Sequence, residues 1–162
     1  MFVAFRAITY ATLFIAFVLI YLPARVLSRS DITRPAVMDA PQIVGIIIGS
    51  AGAVIALWCV ITFAWIGKGT PAPFDPPRRL VVRGPYRFVR NPMYTGAAIA
   101  LSGAALFYES VTLLACVCGF LLAAHLFVVA YEEPALHRTF GPEYDEYRRL
   151  VRRWWPRLRA AP

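Results

Sequence analysis

Charge is scarce in this chain. Only 16% of its 162 residues are charged while 59% are hydrophobic, against roughly 25% charged in an ordinary soluble domain. So few polar side chains cannot cover a water-soluble body of this size, and the mean hydropathy of +0.59 agrees. Cysteine is scarce too. Cys59, Cys116 and Cys118 are odd in number and lie in apolar runs, which excludes a disulfide scaffold and leaves them as small apolar residues. Cys116 and Cys118, two apart on a helix, point to different faces and have no Cys/His cluster beside them, which argues against a metal site. The sequence shows no Ser-His-Asp or Cys-His constellation of the kind that covalent acyl transfer uses. Disorder is excluded by the wealth of aliphatic and aromatic side chains. An integral membrane protein remains.

What the chain has in quantity is long apolar runs. A spanning helix needs about 20 apolar residues to cross a hydrocarbon core of about 30 Å. Spans are expected at residues 4–22, 42–66, 93–108 and 110–131. The first, with Arg6 at its edge, exits through Pro23, Arg25 and Arg29; it is longer than the apolar core of a secretory signal and reads as a retained anchor. The third is short, about 24 Å at 1.5 Å per residue. Third and fourth are separated only by Tyr108, Glu109 and Ser110, so they form a tight antiparallel hairpin. The expectation is an all-α membrane protein. One domain over residues 1–162 has four transmembrane helices, a loop at 67–92 and a tail at 132–162.

The basic residues give this arrangement a side. Lys68, Arg78, Arg79, Arg83, Arg87 and Arg90 fall in the central loop, and Arg138, Arg148, Arg149, Arg152, Arg153, Arg157 and Arg159 in the tail. With Arg6 these make 14 of the 17 positive charges; the first loop has only Arg25, Arg29 and Arg34, offset by Asp31 and Asp39. The positive-inside rule therefore places both termini, the central loop and the tail in the cytoplasm, in a multi-pass protein of a bacterial-type inner membrane. The net charge of +8 reads as a basic rim facing an anionic leaflet, with no call for nucleic acid.

Gly45 and Gly49, extended by Ala53, form a small-residue stripe that lets helices approach closely. Packing within the chain is the favoured use, and a homo-oligomer through the same face stays open. In the tail, Gly141-Pro142 starts a helix with Glu143, Asp145 and Glu146 early and arginines late, the order the helix dipole favours. Tyr144, Tyr147, Val151, Trp154 and Leu158 recur at three- and four-residue spacing. This predicts an amphipathic interfacial helix, broken at Pro156, that anchors the tail or roofs a site.

Two places break the apolar logic. One is the loop into the third helix, where Gly84-Pro85 makes a turn and Asn91-Pro92 opens the helix. Its first-turn amides favour an anion, with Arg90, Asn91 and Tyr94 around them. The other is Glu132-Glu133-Pro134 at the end of the fourth helix, two carboxylates that need a cation or a wet cavity. The hairpin brings the two together, so one site offers donors for a carboxylate and acceptors for an ammonium, as an amino-acid zwitterion requires. Pairing of Arg90 with Glu132 or Glu133 is the competing account.

These residues carry a resemblance. Leu80-Val81 with Gly84-x-Tyr86, then Arg90-x-Pro92-x-Tyr94-x-Gly96, then Glu132-Glu133-x-x-Leu136 with Phe140-Gly141-x-x-Tyr144-x-x-Tyr147, resemble the isoprenylcysteine carboxyl methyltransferase family and the related phospholipid N-methyltransferases. The resemblance covers roughly residues 80–155. It implies S-adenosylmethionine in a cytoplasmic-side pocket capped by the loop and tail, with a lipid-like acceptor entering from the bilayer. It further implies that Leu80, Val81 and Tyr86 line the adenosyl side. Asn91, Pro92, Met93 and Tyr94 would contact the cofactor, and Glu132, with Glu133, would hold its ammonium group. Two departures stand out. Asn91 replaces the family's usual His and cannot titrate, and residues 126–130, where the carboxyl methyltransferases carry an Arg, are all apolar, which speaks against a carboxylate acceptor.

His125, seven residues before Glu132, lies on nearly the same face about 10 Å deeper. It is a candidate proton acceptor or a neutral His bonded to a neighbouring element. Methyl transfer from a sulfonium needs alignment and exclusion of water more than a covalent nucleophile; Arg90, Tyr94 and Glu132 are the residues assigned to it, with His125. The competing classes are an NADPH-dependent membrane reductase of the sterol reductase type, whose C-terminal half is similar to this family, and a non-enzymatic membrane module.

Overall fold

The computed structural model describes residues 9, 12–13, 15–30, 35, 37–62, 65 and 79–156. Most of the N-terminal half of the first expected span with Arg6, the charges Asp31, Arg34, Lys68 and Arg78, and the tail end with Arg157, Leu158 and Arg159 lie outside the described residues. Among the described residues every regular element is helical, apart from one isolated parallel bridge between Val89 and Arg152.

A π-helical turn, Phe17–Tyr21, runs directly into α1 (Leu22–Arg29). The expected exit at Pro23 is therefore not an end. A proline inside a helix lacks its N–H and presses on the carbonyl four residues back. A π turn just upstream widens the helix and accommodates the ring. The same device recurs later in the chain. A second π turn, Val128–Glu132, ends two residues before Pro134 as the first ends two residues before Pro23. As a result α4 (Val111–Phe127), its π turn and α5 (Glu133–Phe140) form one helix of 30 residues. The break expected at Glu132-Glu133-Pro134 falls instead at Gly141, whose φ of +51° glycine adopts without penalty.

Among the described residues two helices are long and apolar enough to cross a membrane: α2 (Ala40–Thr62), with mean hydropathy 2.4, and Val111–Phe140, with 2.5. Between them α3 (Pro92–Phe107) is apolar but only 16 residues long. The outward faces of the long helices are greasy, with Ile47, Val54, Leu57, Val111, Leu122 and Leu126 all exposed, a surface suited to lipid and not to water.

α2 and α3 pack through their backbones. A Cβ on Gly45 would sit 2.7 Å from the Phe107 amide, and one on Gly96 would sit 2.9 Å from the Ala56 amide. Side chains at Gly52 and Gly103 would run into the main chain of Ala100 and Gly49. The Gly45/Gly49 stripe is thus used for packing within the chain, the use the sequence favoured. Val18 and Leu19 from the first π turn close the other side of α3, against Ala97, Ala98 and Leu101 and against Val117 and Phe120 of α4.

At the hairpin, Ser110 caps α4 by accepting the Leu113 amide at 3.2 Å. Gln42 ties the turn to α2 by donating to Glu109 Oε1 at 2.8 Å and to the Phe107 carbonyl at 3.3 Å.

The last helix, α6 (Pro142–Leu150), is shorter than expected: Val151 is already extended, with φ −119° and ψ 131°. Its apolar face does not lie open toward a membrane surface. Tyr144, Tyr147 and Val151 are buried against Leu80, Val82, Leu136 and Phe140. Beyond it, residues 151–156 form a strap that crosses the central loop.

Candidate functional site

The loop is seated by Gly84. Its φ is +59°, and a Cβ there would meet Thr62 Oγ1 at 2.8 Å, so only glycine lets the chain turn against the end of α2. Pro85 then starts a single 3₁₀ turn, Gly84–Arg87. Tyr147 donates its hydroxyl to the Tyr86 carbonyl at 2.7 Å, fastening α6 to this turn. Burial pushes the hydroxyls of Tyr86, Tyr144 and Tyr147 up, that of Tyr144 to about 12, so all three are neutral donors at physiological pH.

Past the turn the loop runs beside the strap. The Arg90 amide donates to the Arg152 carbonyl at 2.9 Å, next to the Val89–Arg152 bridge. Asn91 is buried; it donates Nδ2 to the Arg153 carbonyl at 3.2 Å. Its own carbonyl accepts the Thr95 amide and hydroxyl, and Pro92 opens α3, fully buried. The Asn91 side chain is thus spent on the strap and does not cap the helix.

The two glutamates separate at this point. Glu133 is 8% exposed, and both its oxygens are taken. Arg153 grips it with Nε at 2.7 Å and Nη2 at 2.8 Å, a bidentate fork, while Arg90 Nη1 lies 3.1 Å from Oε1. The bonds to Glu133 raise the pKa of Arg153 further. Arg90 also donates to the Tyr144 hydroxyl at 3.4 Å, and its Nε is buried with no partner among the described residues. Glu132, half-buried on the π turn, accepts the Tyr94 hydroxyl at 3.2 Å through Oε2; no partner is recorded for Oε1 among the described residues. The pairing of Arg90 that competed with a zwitterion site is therefore real for Glu133 and absent for Glu132.

Trp154 closes the arrangement. Its indole N–H donates to His125 Nδ1 at 3.1 Å, which requires that nitrogen to be unprotonated. Its ring stands edge-on to Tyr94, 6.5 Å between centroids, and Tyr94 faces Phe120 at the same separation. His125, exposed on the long helix, is bonded to the strap and not to a neighbouring helix. Of the other residues singled out in the sequence, Val81 is buried, Leu80 packs on the tail cluster, and Met93 is half-buried. Arg153 and Trp154, bonded to Glu133 and His125, fall in the segment that the sequence pattern assigns to a continuing amphipathic helix. Their signal is the run Arg152-Arg153-Trp154-Trp155 beside Pro156, but which partners they meet depends on the loop lying alongside.

Described residues that are all helical, two helices among them able to cross a bilayer, and a carboxylate site about two turns before the end of one of these under a C-terminal strap are the class these features define. The sequence model of the Phospholipid methyltransferase family matches residues 41–143, well over half of the chain, and the protein belongs to that family of membrane methyltransferases, which includes the isoprenylcysteine-type and phospholipid N-methyltransferases. No curated protein and no solved structure matches it. The match runs from the start of α2 into α6 and stops short of the strap.

Proposed function

We propose that the protein is an S-adenosylmethionine-dependent methyltransferase acting on a lipid-like acceptor at the cytoplasmic membrane face. The observation that carries this reading is the unequal state of the two glutamates. Glu133 is consumed by Arg90 and Arg153, whereas Glu132 keeps Oε1 open beside the Tyr94 hydroxyl. An open carboxylate oxygen suits an ammonium, and the unpartnered buried Nε of Arg90 suits a carboxylate. Together they fit the amino-acid end of the cofactor. Bound there, S-adenosylmethionine supplies an electrophilic methyl group on a sulfonium.

The residues of this chain position and shield. Glu132 and Tyr94 fix the ammonium end, with Asn91, Pro92 and Met93 beside them on the opening of α3. Leu80, Val81 and Tyr86 form the adenosyl side. The aromatic wall of Tyr94, Phe120 and Trp154 excludes water from the transfer path, and the apolar stretch at residues 126–130 disfavours a carboxylate acceptor. His125 is the group we assign to take up an acceptor's proton, once Trp154 releases it. Residues 1–162 form one domain of four spans with both termini in the cytoplasm, which sets the Glu132 end of the long helix at the cytoplasmic surface.

The test is calorimetric titration of purified protein with S-adenosylmethionine and, in parallel, with NADPH, followed by transfer of labelled methyl into a lipid extract. The wild type binds the first and not the second, and Glu132→Ala weakens binding by about a hundredfold or more with helical content unchanged. Undiminished binding by Glu132→Ala removes the assignment; binding of NADPH alone replaces the methyltransferase with a reductase.

A further inference from the structure

A cavity of about 480 Å³ lies where the long helix meets α6, lined by Val129, Glu133, Pro134, His137, Arg138 and Arg148. Its charges do not cancel. Glu133 is already gripped by Arg90 and Arg153. Asp145 is the remaining acid nearby, 3.1 Å from His137 Nε2 and 3.9 Å from Arg148. Arg138 has no ion pair among the described residues. Asp145 is thus shared between His137 and Arg148, and Arg138 is left without a counter-charge among the described residues. Paired guanidinium forks match the oxygens of a phosphate.

The cavity also has an apolar approach. Leu122, Leu126 and Val129 are exposed at 61%, 59% and 42%. Their spacings of four and three put them on one face of the long helix, and the stripe ends at Val129, on the cavity wall. An apolar track leading into a basic pocket has the outline of an anionic amphiphile.

We propose that this cavity binds the phosphate headgroup of an anionic phospholipid, with Arg138 and Arg148 on the phosphate and one acyl chain along Leu122, Leu126 and Val129. Because Arg138 belongs to the long helix and Arg148 to α6, the bound lipid bridges the two and holds the tail down. The proposal rests on the long helix standing in a bilayer; it does not rest on methyl transfer, and binding is measured without turnover.

The experiment is native mass spectrometry of the full chain released from nanodiscs of phosphatidylcholine containing a minor fraction of phosphatidylglycerol. The wild type retains one phosphatidylglycerol in preference to phosphatidylcholine. Arg138→Gln and Arg148→Gln each lower that retention by about fivefold. Arg149→Gln, the same charge change on an exposed neighbour outside the cavity, leaves it unchanged. Inorganic phosphate at millimolar concentration displaces none of the lipid. Equal retention of the two lipids, or an equal loss in Arg149→Gln, overturns the proposal in favour of diffuse attraction to the basic rim. Displacement by inorganic phosphate overturns it in favour of a free-phosphate site. Arg138 is exposed and without an ion pair among the described residues, so Arg138→Gln folds and gives a reading even if Arg148→Gln does not.

Discussion

Adjacent glutamates on a helix point about 100° apart, and here that angle separates two roles. Glu133 faces the strap and is held by a bidentate arginine; Glu132 faces Tyr94 and keeps an oxygen open. Arg153→Ala removes two charge-assisted bonds to a buried carboxylate and leaves Arg90 as its remaining ion-pair partner. We expect a loss of about 2 kcal/mol, read as a lowered thermal midpoint. Glu132→Gln, by contrast, keeps a hydrogen-bond acceptor for Tyr94 and should move the midpoint little while weakening cofactor binding. If the two variants lose stability equally, the division of labour is wrong. The sequence marked both glutamates as anomalous in an apolar setting. It did not distinguish them, because the distinguishing partner, Arg153, lies twenty residues further on in a segment whose path depends on Val89, Arg90 and Asn91.

At the scale of elements, the tail is docked by a tyrosine cluster and the helix pair by absent side chains. Tyr144, Tyr147 and Tyr86 have hydroxyls whose ionisation is raised by burial, Tyr144 to about 12. Groups raised in the folded state support folding fully below their ordinary value near 10. They withdraw that support as pH climbs through the folded value. The tail should therefore stay docked up to pH about 10 and loosen between about 10 and 12, visible as increasing proteolysis after Arg148 and Arg149 while the membrane helices keep their circular dichroism. Gly103→Ala tests the other contact. Its methyl group meets the Gly49 backbone, and the helices must separate at a cost of about 1–3 kcal/mol. An unchanged midpoint would show that α2 and α3 pack more loosely than described.

For the whole molecule, two single-cysteine variants in a background without the native thiols test the topology. Met38→Cys, on the first loop, should react in intact cells with a membrane-impermeant maleimide, and Arg87→Cys, on the central loop, only after permeabilisation. The reverse pattern would put the candidate site on the wrong face for a cytoplasmic cofactor. The apolar runs, the hairpin between the short helix and the long one, and the conjunction of the Asn91-Pro92 turn with the two glutamates were legible from sequence, because length, hydropathy and a three-residue turn leave few alternatives. Where helices end was less legible. Pro23 and Pro134 read as breaks, yet π turns absorb both, and a local widening of that kind leaves no mark on composition. The amphipathic pattern of the tail was real but ambiguous, since a buried protein face and a membrane surface demand the same periodicity. Composition and periodicity determined that this chain is helical, membrane-suited and polar at one helix end. Only the tertiary structure decided that the tail folds back as a strap, that Arg153 neutralises Glu133, and that Glu132 is left open, since each of these depends on contacts between residues twenty or more positions apart.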